Sequence, residues 1–371
     1  MKITCNAGDM KNALSLVMSA LAARPAQTAL ECVLLRADAD GVSLCATDGS
    51  MEISARMEAA VKEEGMALMP GKLLMKYVSI ASGEIILGAD EKQRCVLSGA
   101  GRKSTIAGLP PEEYVLCTLP DAQPVVRMKG KTFSRMVSDC AFCAGVDEVR
   151  KTLVSVCAAF GQDHAEFVSM DGYRMALVRG ECRGKAPLRL LMPVACAKIA
   201  AKLFSGAEEM EIGGVEKRHC VLSGGGVTMR FPLLSGKYID YGKLCARGAT
   251  AEMALSAKEL LQAVKNANVA ARYQQKESVS LEMADETLRV FASGAQTDAS
   301  SEIARVQAQG TVPRIAFNGR FLEEALSRAA QDDIVCTLTS AVAPMTIRPR
   351  QPSENDFLYM VMPVRQVGAA A

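Results

Sequence analysis

The stretch Gly99-Ala-Gly-Arg-Lys-Ser-Thr105 carries glycines, cations and hydroxyls in nearly the order of a loop that cradles phosphate. In such a loop the Lys directly follows the second conserved-type Gly and a helix comes next. Here Arg102 intervenes, and Ile-Ala-Gly-Leu-Pro-Pro follows, which reads as strand and turn. A tight hairpin accounts for the glycines. Cys140-Ala-Phe-Cys143 has the spacing of a metal or redox pair. It lacks a second pair and a nearby His, and Cys140 falls on the apolar stripe of a helix. The two histidines, His164 and His219, each sit in a polar turn-like stretch. Neither joins a Ser or Cys in a nucleophile–base order. Asp48 and Asp171 each precede a Gly, where a turn-forming Asp needs no catalytic role. No active site, metal or cofactor is expected; a binding or scaffold role is.

What these residues do show is an interval. The run Glu31–Gly49 is strand, turn and strand closing on Ala-Thr-Asp-Gly. A second copy closes on Ser169-Met-Asp-Gly172 and a third on Ala292-Ser-Gly294. The closing glycines lie 123 and 122 residues apart. Val96-Leu-Ser-Gly-Ala-Gly101 returns as Val221-Leu-Ser-Gly-Gly-Gly226, and the helix start at Met69-Pro-Gly-Lys72 returns at Met192-Pro193 and at Phe317-Asn318. So long a period means three copies of a whole domain rather than a solenoid of small units. The expected domains are residues 1–121, 122–246 and 247–371.

Composition agrees. The 371 residues suffice for three cores, and 49% are hydrophobic. The net charge of +2 means that any basic surface must be local. No apolar run approaches the roughly 18 residues of a membrane span, and Met1-Lys-Ile-Thr-Cys-Asn6 lacks a signal-peptide core. The 13 cysteines are scattered, many in apolar runs, and read as reduced core thiols of a cytoplasmic protein.

Each third reads as helix, strands, helix, strands. Met10, Leu14, Val17 and Leu21 mark the first helix; a second starts near Pro70 and ends by Gly83. Phe133, Val137, Cys140 and Ala144 mark the third, and Ile199 with Leu203 the fourth. Ser256-Ala-Lys-Glu259 predicts a capping box before a helix reaching about Tyr273. Phe321 and Ala325 lie on the last helix. Linkers are expected near 119–124 and 244–248, and a final apolar strand over Phe357–Pro363.

Five of these helices pair a core stripe with a basic one. Lys258, Lys265, Arg272 and Lys276 share one face, opposite Leu260, Val264, Ala267 and Ala271. The other cation pairs are Lys72 with Lys76, Lys131 with Arg135, Lys198 with Lys202, and Arg320 with Arg328. One charged face is ordinary solvation. Five related ones in a near-neutral chain point to a shared surface for a polyanion.

Three repeats, basic helices and a terminal Tyr359-Met-Val-Met-Pro-Val-Arg365 together resemble the bacterial DNA sliding clamp, the beta subunit of DNA polymerase III. The further marks are Arg24-Pro25, Ala46-Thr-Asp-Gly49, Met170-Asp-Gly-Tyr-Arg-Met-Ala176, Gly236-Lys-Tyr-Ile-Asp-Tyr241 and Phe317-Asn318. The resemblance covers the whole chain. It implies an α+β fold of three tandem similar domains, with helices lining a central hole, antiparallel sheets on the outer rim, and a ring-forming head-to-tail homodimer. It implies a processivity factor that encircles duplex DNA without reading sequence. Arg24 and Lys151 then join the helix cations as DNA contacts. A second site, an apolar groove, would take short peptides of the replicative polymerase, clamp loader and repair proteins. By resemblance it comprises Leu153, Met170, Gly172, Tyr173, Arg174, Met175, Ile239, Lys243, Leu244, Pro344, Met360, Val361, Met362, Pro363 and Arg365.

The chain departs from the family where Met170, Tyr173 and Ile239 replace its usual Thr, His and Pro, so the groove should differ in shape. By the resemblance, Ser104, Ile106, Ala270 and Ala271 align with the family's ring-closing contact, where Ser and Ala offer less apolar area than the bulky residues common there. Two other readings are an enzyme with Cys45 or Cys182 as nucleophile, and a repeat scaffold that binds proteins but never DNA. A thiol of depressed pKa would mark the enzyme.

Overall fold

The computed structural model describes residues 1–22, 24–114, 122–215, 218–245, 248–275, 277–294, 296–351 and 356–364. Lys276, Arg365, Cys117 and the first three residues of the 119–124 linker lie outside them. The regular helices are α1 (Ala7–Val17), α2 (Gly71–Ile80), α3 (Gly130–Cys140), α4 (Val194–Phe204), α5 (Gly242–Cys245), α6 (Ala257–Tyr273) and α7 (Gly319–Ala329). The chain divides into two compact units, residues 1–134 with 182–235 and residues 135–181 with 236–371.

In the first unit Lys2–Asn6 is a strand, not part of a helix, and this corrects the expected element order. Its alternation is only five residues long, too short to read as a period, yet it buries Ile3 and Cys5. Asn6 then caps α1, its side chain accepting from Gly8 N at 2.8 Å. Strands also open the later repeats, at Val126–Met128 and Ala251–Ser256. Lys2–Asn6 lies between Ala60–Glu63 and Glu84–Ala89 in a five-stranded sheet that continues through Arg94–Gly99 to Arg102–Ala107. The turn joining the last two strands holds Ala100 and Gly101 at φ +49° and +75°. It is the hairpin expected in place of a phosphate loop.

A second sheet crosses from the middle repeat into the first. Val126–Met128, Met210–Val215, His219–Gly224 and Val227–Pro232 lie side by side; then Val227–Pro232 pairs with Glu52–Met57, Val227 opposite Ala55. Gly41–Thr47, Cys32–Asp38 and Gly65–Pro70 complete it. Sequence periodicity within a repeat carries no trace of this join, because edge strands pair through backbone groups.

The second unit repeats the device. Ser155–Phe160, His164–Met170 and Arg174–Glu181 run side by side. Arg174–Glu181 pairs with the C-terminal strand Asp356–Val361, followed by Met345–Pro349, Asp333–Leu338, Ala251–Ser256 and Gln307–Gln309. A four-stranded sheet, Asp298–Ile303, Thr287–Ser293, Ser278–Ala284 and Ile315–Asn318, packs on α6. Leu260, Val264, Ala267 and Ala271 of α6 are buried, while Lys258, Lys265 and Arg272 are exposed. Three helix details differ from expectation. Ser256 stands at the N-cap of α6 without a side-chain cap bond, and Ala257 N donates to Asp332 O at 3.2 Å. In the 244–248 linker, Leu244 and Cys245 form the end of α5. The third helix ends at Cys140, and a 3₁₀ turn, Ala141–Cys143, leaves Ala144 outside it.

Candidate peptide groove and basic helix faces

The groove residues that the structure describes all belong to the second unit. Their base is the turn at Asp171-Gly172. Gly172 takes φ +98°, a conformation that a side chain would strain. Asp171 accepts from Tyr173 N at 2.9 Å and from Arg174 N at 3.0 Å, and its other carboxylate oxygen accepts from Arg174 Nε at 3.0 Å. The repeated Asp-Gly is thus a built turn, as at Asp48-Gly49, where Asp48 accepts from Ser50 N and Met51 N at 2.8 Å.

Strand alternation then sorts the residues by face. Met170, Met175 and Met360 stand opposite one another across three strands and share a face. Arg174 and Val361, one position along, turn the other way, onto α7. The Arg174 guanidinium lies 4.3 Å from the Phe321 ring centre and donates to Glu324 as well as Asp171. Burial works against its charge, but the bonds to Glu324 and Asp171 outweigh that and raise its pKa. Arg174 therefore braces the turn.

Three large apolar side chains among the predicted groove residues stay open to water: Tyr173, Ile239 and Met362. Met362 N donates to Tyr173 O at 2.8 Å, which ties the end of the C-terminal strand to the turn. Tyr173 leans on Phe321, with ring centres 6.5 Å apart. Leu244 reaches the site from α5, whose approach is set by Tyr241 donating from its hydroxyl to Glu166 at 2.7 Å. Leu153 is buried at the end of the 3₁₀ turn Glu148–Leu153, and Pro344 and Pro363 are half-buried. Lys243 is exposed and meets Asp240 only at 3.8 Å. A cavity of about 270 Å³ lies beside Leu244, Pro344 and Met360. Its other walls include Thr337, Thr346, Glu252 and Arg348, which the sequence reading missed. Their alternation, Thr337-x-Thr339 and Thr346-x-Arg348, marks only a polar strand face.

The basic residues fare unevenly. Arg24, Lys72, Lys76, Lys131, Lys151, Lys198, Lys202 and Lys265 are exposed. Arg135 is half-buried and donates to Arg179 O at 3.1 Å. Arg272 pairs with Glu323 at 3.0 Å and Arg320 with Glu324 at 2.9 Å, so α7 neutralises part of its own field and part of that of α6. Burial pushes thiols up rather than down: Cys45 to about 11, with Glu52 adding to the effect, and Cys95 to about 12. Cys45 is thus unsuited to be a nucleophile at neutral pH. Cys140 and Cys143 are buried, and no group of three metal-ligating side chains occurs among the described residues.

Models of the N-terminal, central and C-terminal domains of the DNA polymerase III beta subunit match residues 1–119, 127–240 and 244–365. The chain belongs to the DNA polymerase III beta subunit family. It is similar to the beta sliding clamp of Synechococcus elongatus, 27% identical over 98% of this chain and 99% of that one. The Streptococcus pyogenes beta subunit shares the fold, with a TM-score of 0.92 at 20% identity over 99% of this chain and all of that one. So does a sliding clamp from Pseudomonas aeruginosa bound to griselimycin, with a TM-score of 0.90 at 19% identity over the same shares. The fold is the α+β DNA clamp, three domains of antiparallel sheets and helices. Its function is that of a non-catalytic sliding clamp, the processivity factor of DNA polymerase III.

Proposed function

We propose that the chain pairs head to tail with a second copy to close a ring around duplex DNA. The exposed helix cations face the phosphates, and the thioether groove of the second unit docks short peptides of the polymerase, the clamp loader and repair proteins. The carrying observation is that Tyr173, Ile239 and Met362 stay exposed while the thioethers Met170, Met175 and Met360 share one buried face. Thioethers adapt to varied apolar partners, and clustered exposed apolar residues mark interaction sites. Arg174 is a positioning residue in this reading. Weak, sequence-independent attraction to phosphate suits sliding. The domain limits 1–121, 122–246 and 247–371 follow from the repeat interval, and cysteines scattered without framework spacing favour the cytoplasm.

Loading onto nicked circular DNA tests the ring. The chain should stay until the circle is cut; equal retention on linear DNA with free ends would refute encirclement. Griselimycin tests the groove. It should bind this chain and lose affinity in Met362→Ala, whereas unchanged affinity in that variant would place the ligand elsewhere.

A further inference from the structure

The long sheets of the two units are built around the same Asp-Gly turn, so their residues can be matched by register. Asp48 N donates to Met51 O and Asp171 N to Arg174 O, each at 3.3 Å. Counted from these turns, Ser43 opposite Arg56 in the first unit corresponds to Glu166 opposite Arg179 in the second. Each row extends by one strand on either side. In the second unit it reads Ala159, Glu166, Arg179, Asp356; in the first it reads Arg36, Ser43, Arg56, Gly226. Directly opposed residues of antiparallel strands share a face.

The second unit neutralises its arginine. Arg179 Nε donates to Glu166 at 3.0 Å and Nη1 to Asp356 at 3.1 Å. The first unit has Ser43 and Gly226 at the places of those carboxylates, and a second cation, Arg36, at the place of Ala159. Among the described residues no carboxylate pairs with Arg36 or Arg56, whereas Arg127, Arg230 and Arg348, also on sheet faces, each meet one. Asp38 lies two residues beyond Arg36 and spends Oδ1 on Asp40 N; Glu58 lies two beyond Arg56, past the strand end. Both arginines are exposed, while the opposite face buries Leu35, Val42, Leu44 and Ala55.

Arg36 and Arg56 flank Ser43 at one strand spacing, about 4.8 Å on either side. An Arg side chain reaches further than that. Both guanidiniums can therefore close on one carboxylate above the Ser43 hydroxyl, which is free to donate a further bond. That carboxylate would stand where Glu166 stands in the second unit. Met66 continues the row beyond Arg36 and is 43% exposed, so an apolar contact lies about 10 Å from the anion seat. A run of duplex phosphates brings nothing apolar to cover a thioether and would be repelled by Asp38 and Glu58. A peptide with one acidic and one apolar side chain meets both parts of the row.

We infer that this row docks an acidic segment of a partner protein. One Asp or Glu carboxylate is held between Arg36 and Arg56 over Ser43, and an apolar side chain of the same segment covers Met66. The surface shares no residue with the groove of the second unit.

The test uses acetylated, amidated hexapeptides with one Glu and one Leu in a Ser background, set one to four residues apart, each beside its counterpart with Gln for Glu. Affinity is titrated against the full chain with carbon-13 on its methionine methyls; the Met66 resonance is the one lost in Met66→Leu. The best Glu peptide should move Met66 and not Met360. It should bind at least about tenfold more tightly than its Gln counterpart, the worth of charge-assisted hydrogen bonds, and added salt should narrow that ratio. Arg36→Gln with Arg56→Gln should erase it in a chain of unchanged melting temperature. Ser43→Glu supplies from within the carboxylate that Glu166 supplies in the second unit, so it should raise the melting temperature and abolish peptide binding. A Gln peptide that binds as tightly, a Ser43→Glu chain that binds as the parent does, or no shift of Met66 with any peptide overturns the inference. Inorganic phosphate or a short DNA duplex that moves Met66 at lower concentration than any Glu peptide, through the same two arginines, overturns it in favour of a free-anion or a DNA seat.

Discussion

Truncating Met362 to Ala separates a docking surface from a core. The change removes three heavy groups, each worth about 0.8 kcal/mol when fully buried, or roughly 2.4 kcal/mol in all. Met362 is 38% exposed in the free chain. Only about 1.5 kcal/mol is therefore realised on folding, and about 0.9 kcal/mol remains for a partner to realise by covering it. That remainder corresponds to roughly a fivefold rise in peptide Kd. Met360 provides the contrast. It is 5% exposed, so a partner has little left to cover. Met360→Ala should cost about 2–5 kcal/mol of stability, with a cavity term on top of the transfer term. Both variants are measured by peptide titration and by thermal melts run side by side. A Met362→Ala chain that melts as low as Met360→Ala yet binds griselimycin as tightly as the parent would refute the reasoning. It would make the C-terminal strand end a piece of core and nothing more.

Reversing Lys198, Lys202 and Lys265 to Glu should weaken DNA association and flatten its salt dependence by about one unit of slope per lost phosphate contact; an unchanged slope would move the DNA surface elsewhere. Stability should shift by less than about 0.5 kcal/mol per site, since all three are exposed. Asn318 accepts from Arg320 N at 3.0 Å and Phe321 N at 3.2 Å and donates to Glu277, so Asn318→Ala should cost about 1–2 kcal/mol, read as a lower melting temperature. Burial opposes the charge of Glu324, but Arg320 and Arg174 hold its carboxyl below the ordinary value. Its contribution to stability is complete above the unfolded carboxylate pKa and is lost as pH falls through the lowered folded value. Glu324→Gln should therefore flatten the fall of melting temperature on acidification below about pH 4.5; an identical pH profile would show the Arg174–Glu324 contact to be without weight.

Much of this was legible before any coordinates. Helix stripes such as Leu260–Val264–Ala267–Ala271 show themselves because a 3.6-residue period is local. So are turns such as Asp171-Gly172, since a positive φ asks for Gly at one position and an Asp side chain serves the backbone beside it. The opening strand Lys2–Asn6 was missed because five residues give too little alternation. The Ser256 capping box did not form, although Ser256 stands at the N-cap, because a local pattern does not fix the side-chain rotamer. The polar end of the cavity was also invisible. Thr337, Thr346 and Glu252 look like any solvated strand face until register lines them up with Met360.

The sequence by itself determined that three alike domains follow one another and that their helices carry cations opposite apolar stripes. These properties depend on residue type and near-neighbour spacing, which a chain carries whether folded or not. Only the tertiary structure decided that Arg174–Glu181 pairs with Asp356–Val361, a contact between segments far apart in sequence and made through backbone hydrogen bonds that any residue supplies. That pairing turns Met360 toward the groove and Val361 toward α7, and it brings Arg174 against Glu324. A shift of one residue in that register would exchange the two faces. The groove is therefore a property of strand register, which near-neighbour spacing does not encode.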